Sequence, residues 1–158
     1  MVTQFQRDNL ITLASYLQTV EPPTFDMKGF FNPSPTLELT LNKKSKMWDY
    51  ASAATEEVYR TCGTVACAAG HGPLAGIKPL KTETWLNYTK RVFGAHNGIY
   101  GSEEYLLWQW LFSMSWAFVD NTAKGAAARI LWYIANGKVP DDYFKMRSGT
   151  EPLCYKVE

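Results

Sequence analysis

Cys62, Cys67 and His71 lie within the run from Tyr59 to Pro79, YRTCGTVACAAGHGPLAGIKP, together with four of the chain's eleven glycines. Three kinds of chemistry compete for that spacing. As a nucleophile, Cys62 would sit at a turn into a helix, where unpaired backbone N–H groups and the helix dipole favour the thiolate. Gly63 would admit substrate closely, and Thr64 would cap the helix that follows. The base would be His71 or His96, with Asp120, Asp26 or Asp49 to orient it, giving a thiol-dependent hydrolase or transferase. As a metal site, Cys62, Cys67 and His71 would supply thiolate and imidazole to zinc, with Cys154 or His96 as the fourth ligand. The C-x4-C-x3-H spacing lacks the paired C-x2-C of common zinc modules, so no cofactor is expected and zinc is the alternative. In the third case the cysteines are small core residues. Ala66 and Gly70, like Cys67 and His71, are four apart, which suits close helix packing, and free cysteine is among the most buried residue types.

A second unusual string is DNTAKGAAARI, Asp120 to Ile130. Asp120, Asn121 and Thr122 offer cap chemistry to the helix that follows, and Arg129 stands among small and apolar residues, as a partner for a capping acid. Alternatively, Asp120, Asn121 and Arg129 are the polar groups of a pocket lined by Trp110, Trp116 and Trp132. The candidate ligand-binding set is therefore Cys62, Gly63, Thr64, His71, Asp120, Asn121 and Arg129. The glycine-rich stretch from Gly70 to Gly76 matches neither the phosphate-loop nor the dinucleotide pattern, and reads as a helix end turning through glycines.

The elements that must position these residues are mostly helical. Apolar spacing predicts a helix over Gln6 to Val20, ended by Glu21-Pro22-Pro23. Alternation over Thr36 to Leu41 predicts a strand, and Ala51 to Tyr59 a short helix. A helix from Val65 to His71 follows. Thr82 to Phe93 reads as another, with the Gly94 to Gly101 loop carrying His96 behind it. Ser102 caps a long apolar helix running through Phe118, apolar on every side and so central to the core. Ala123 to Asn136 is the last, stopped by Gly137 and Pro140. The fold class is mainly α, with α+β as the variant: a single compact domain over 1–158, five or six helices around a Trp-rich central one. A small sheet would pair Leu37 to Leu41 with Leu153 to Val157.

Bulk composition narrows the function. Of the 158 residues, 46% are hydrophobic and 20% charged, enough core material for one domain and too much for global disorder. A net charge of +1 from 16 basic and 15 acidic residues gives no field that would favour nucleic acid or anionic lipid. The most apolar stretch, Tyr105 to Val119, is too short for a membrane span. Met1 to Leu10 is polar and lacks the apolar core of a secretory signal, and three cysteines form no disulfide framework, so a cytoplasmic location is expected. Surface aromatics such as Tyr100 or Trp48 would serve as interface anchors, although core use is commoner.

The strings CGTVACAAGHGPLAGI, Cys62 to Ile77, and WAFVDNTAKGAAARI, Trp116 to Ile130, together resemble a family of short bacterial and phage proteins of no known activity. WLNYTKRVF and LWQWLFS are similar too, so the resemblance spans about Phe25 to Pro140. It implies a shared fold and carries no catalytic role for any residue. The order Cys62, His96, Asp120 resembles papain-like enzymes, and C-G-x-x-x-C resembles the start of double-glycine leader peptidases, but the strands that should carry their His and Asp are not evident. His96 and Cys154 fall outside the resembling strings. The expectation is a small binding protein, a phage or mobile-element accessory with a counter-defence role, that captures a protein partner or a small polar ligand. The alternatives are a hydrolase or transferase using Cys62 with His71 or His96, and a structural zinc-binding module.

Overall fold

A computed structural model of the chain describes residues 2–27, 67–80 and 83–155. Of these, 52% are helical, well above the third typical of globular proteins, and no strand forms among them, so the chain is helix-rich as expected. The predicted strand over 36–41, the helix over 51–59 and residues Cys62, Gly63 and Thr64 lie outside the described residues. Leu153 to Tyr155 form no strand.

Helix α1, Gln4–Leu17, begins with a reciprocal cap. Thr3 Oγ1 accepts from the Gln6 amide at 3.2 Å, and Gln6 Oε1 accepts from the Thr3 amide at 2.9 Å. Leu10, Leu13, Ala14 and Leu17 recur at i, i+3, i+4 and i+7 and are fully buried. The cap moves the start two residues ahead of the apolar pattern. The end comes three residues early because the Thr19 and Val20 amides reach only to Tyr16 and Leu17 carbonyls, a tightened last turn leading into the 3-10 turn Pro22–Thr24.

Helix α2, Trp85–Phe93, is capped by Thr84 and stopped by Gly94 in the left-handed region at φ 70°. It starts later than Thr82 because Glu83 has another use. Its carboxylate accepts from the Leu80 amide and from both Nε and Nη2 of Arg91, in the last turn. Helix α3 is Glu103–Leu111, with Ser102 as cap and Glu103 and Glu104 in the first turn. Helix α4, Ala123–Asn136, has the expected bounds, set by Thr122 at one end and Gly137 at φ 72° at the other. Helix α5 is a short piece, Tyr143–Arg147.

The predicted helix through Phe118 breaks after Leu111. Ser113 takes an extended conformation, its hydroxyl accepts from the Ser115 amide at 3.3 Å, and Met114–Phe118 continues as a 3-10 helix. Trp116 then folds back so that its indole N–H donates to the Gln109 carbonyl at 3.2 Å, pairing one of the acceptors that a helix end leaves open. The Trp-rich segment is central, but in two pieces. Trp116 and Trp110 are fully buried and meet edge to face at 5.4 Å, while Met114 and Phe118 point outward.

Helix α1 packs against both α2 and α4. Its polar side chains close their open ends: Gln6 and Asn9 donate to the Lys90, Arg91 and Val92 carbonyls of α2, and Arg7 donates to Ile134 of α4. Among the described residues no helix is long and apolar enough to cross a membrane.

Candidate functional site

The two strings singled out in the sequence meet through a third segment, Thr24 to Met27. From Cys67 to Ile77 the chain runs through successive turns, closed by amides such as His71 to Cys67 and Ile77 to Gly72 carbonyls. Of the helix predicted over 65–71, the first two residues lie outside the described ones, and the remainder takes this turn form. Gly72 is a close approach: a Cβ there would overlap the hydroxyl of Tyr88, which donates to the Ile77 carbonyl at 2.6 Å.

His71 is buried, with Nε2 at 3.0 Å from the Thr24 carbonyl. Because a carbonyl only accepts, Nε2 carries the proton. The ring stacks on Phe25 at 5.7 Å and lies tilted against Tyr16 at 5.9 Å. From the other string, Asn121 Oδ1 accepts from the Met27 amide at 2.7 Å, and its amide nitrogen donates to Asp26 at 3.1 Å. His71 and Asn121 therefore grip the two ends of one four-residue segment. Cys67 is 3% exposed, and burial, with a smaller contribution from the Asp26 charge, pushes its thiol up to about 11. It is a neutral thiol at physiological pH. His96 sits in the loop between α2 and α3, its amide bonded to the Glu104 carbonyl at 3.0 Å. Cys154 is exposed. Among the described residues no group of three His, Cys, Asp or Glu side chains is placed to hold a metal.

Asp120 and Arg129 belong to a second centre, at the start of α4. Thr122 caps the helix by accepting from the Gly125 amide at 2.9 Å, and its hydroxyl donates to Asp120 Oδ1 at 2.6 Å. The other Asp120 oxygen accepts from Tyr155 Oη at 3.1 Å, and that same hydroxyl accepts from Arg129 Nη1 at 3.1 Å. The sequence suggested an acid paired with Arg129; the structure interposes Tyr155 between them. Arg129 is 0% exposed, and its guanidinium lies 4.4 Å over the Trp116 ring. Burial lowers the Arg129 pKa and raises that of Tyr155 to about 12, so the phenol keeps the proton that it gives to Asp120. No spacing in the sequence links Tyr155 to a position 35 residues earlier.

A surface feature adds to these. Ile99 and Tyr100 are 78% and 86% exposed in the loop before α3. The Tyr100 ring lies 5.2 Å from that of Tyr105. Burial raises the pKa of the Tyr143 phenol, and the Tyr105 and Tyr100 hydroxyls nearby add to the effect, which puts the three tyrosines in one neighbourhood. Arg147 lies over the Tyr143 and Phe144 rings at 5.7 and 5.6 Å and is held by Gln109 and by Ser113. Phe144 is 62% exposed. Tyr100 had a sequence signal as a surface aromatic in a Gly-bounded loop; α5 had none, because its five residues follow no apolar period.

A scan against protein-family models, a search of curated proteins and a search of solved structures find no match to this chain.

Proposed function

We propose that the protein acts by binding, and that it captures a protein partner on the face formed by Ile99, Tyr100, Tyr105, Tyr143 and Phe144. The observation that supports this is Tyr100, 86% exposed yet already packed at a tilt against Tyr105. Aromatic rings present large contact areas with few torsions to freeze, and together with arginine they supply most interface anchors. Arg147 is held in place by Gln109 and Ser113 before any partner arrives, so little side-chain entropy remains to be lost on contact. A cytoplasmic accessory protein of a phage or mobile element, acting by stoichiometric capture in counter-defence, suits such a face.

The test is affinity capture from host extract with wild-type protein and with a Tyr100→Ser, Phe144→Ser double variant. Wild type should retain one protein in near-equal amount, and the variant should lose it while unfolding at the same temperature. For a purified partner, each substitution should weaken binding by about thirtyfold, the effect of losing roughly 2 kcal/mol at an anchor. Equal retention by both proteins would remove this face as the site.

A further inference from the structure

The guanidinium of Arg129 is fully buried, away from the surface face. Its Nη1 is taken by Tyr155, whereas Nε and Nη2 are buried with no hydrogen-bond partner among the described residues. These two nitrogens share one edge of the guanidinium, the edge whose parallel N–H bonds match the two oxygens of a carboxylate. The same molecule shows that edge filled at Arg91, where Glu83 Oε1 sits 2.7 Å from Nε and Oε2 sits 2.7 Å from Nη2. At Arg129 the equivalent edge has no such acceptor among the described residues.

The surroundings fix that edge in place. Asp120 is the acid of this centre, and its oxygens face Thr122 and Tyr155. Gly125 permits this, since a Cβ at that position would overlap the Asp120 carboxylate. The Trp116 ring covers one face of the guanidinium, Tyr155 fixes one end, and the Trp110 indole donates to the Arg129 carbonyl at 3.0 Å. A buried donor left unpaired is costly, so a fixed pair of such donors is a receptor organised before its ligand arrives.

We propose that the Nε and Nη2 edge of Arg129 binds the carboxylate group of a small monoanion. Asp120 already balances much of the guanidinium charge through Tyr155, so a dianion such as phosphate would meet repulsion that a single carboxylate does not. Thermal unfolding of the full chain tests this with sodium formate as the probe, against sodium chloride and sodium phosphate at equal ionic strength. Formate at a hundredfold excess over its dissociation constant should raise the midpoint by about 5 °C or more, with no comparable shift in chloride or phosphate. Arg129→Lys keeps the charge but loses the edge, and should abolish the formate-specific shift; Arg91→Lys alters the edge that Glu83 already fills and should retain it. Should Arg129→Lys fail to fold, nitrogen-labelled arginine in wild type gives the same answer, because formate should move the buried Arg129 Nε–H resonance. An equal formate shift in Arg129→Lys, a larger shift in phosphate, or a stationary Arg129 resonance would each overturn the proposal.

Discussion

Cys67 and His71 sit four residues apart and have opposite relations to water-based chemistry. His71, its ring against Phe25 and Tyr16, donates its Nε2–H to the fixed Thr24 carbonyl, while Cys67 keeps its proton because burial pushes the thiol to about 11. Alkylation separates Cys67 from an exposed thiol. With iodoacetamide near neutral pH, Cys154 should be modified before Cys67, whose thiol is both covered and held protonated by full burial, whereas partial burial raises the Cys154 thiol without covering it. Site-resolved mass spectrometry reads this, and comparable native rates at the two positions would contradict the burial. The company of small residues around Cys67 was visible in the sequence. What His71 and Asn121 hold was not, because the segment Thr24 to Met27 lies 47 residues before the one and 94 before the other. At this scale sequence spacing names the polar residues and tertiary contact assigns their work.

Helix α4 was legible to the residue, since Thr122 and Gly137 are local signals whose chemistry needs no tertiary partner. The break after Leu111 was hidden for a complementary reason. A run that is apolar on every side has no face from which to read a turn, and the bonds that stabilise the break, Ser113 to Ser115 and Trp116 to Gln109, exist only once the chain has bent. Gly125 lies between these cases. Alanine favours helix by about 1 kcal/mol over glycine, so helix propensity alone makes Gly125→Ala stabilising. The structure reverses the sign, because the new Cβ takes the space of the Asp120 carboxylate and disturbs its bonds to Thr122 and Tyr155. Urea unfolding should show a net loss of about 2 kcal/mol with an unchanged denaturant slope. A gain in stability would mean that Asp120 shifts at no cost.

For the molecule as a whole, the helix-rich class followed from apolar periodicity, while the packing of α1 against α2 and α4, with its polar side chains closing their open carbonyl ends, came from contacts between distant segments. Acid stability is a property at this scale. Hydrogen bonding to Arg91 holds the Glu83 carboxyl below the ordinary range, against the opposing effect of burial. A folded-state pKa below the unfolded value of about 4.3 stabilises the fold fully above that value and loses its contribution as pH falls through the folded one. Glu83→Gln should therefore lower the unfolding midpoint by about 2–4 °C at pH 7, roughly 1 kcal/mol, and the gap to wild type should close as pH falls below about 4. A gap that persisted in acid would assign the loss to packing. The Tyr155 bridge, finally, bears on the order in which this protein can be made. Arg129 emerges from synthesis 26 residues before Tyr155, a delay of about 1 to 5 s at cellular rates. Through that interval the nascent α4 core holds Asp120 and Arg129 without the phenol that joins them, so this core closes only when translation has delivered Tyr155.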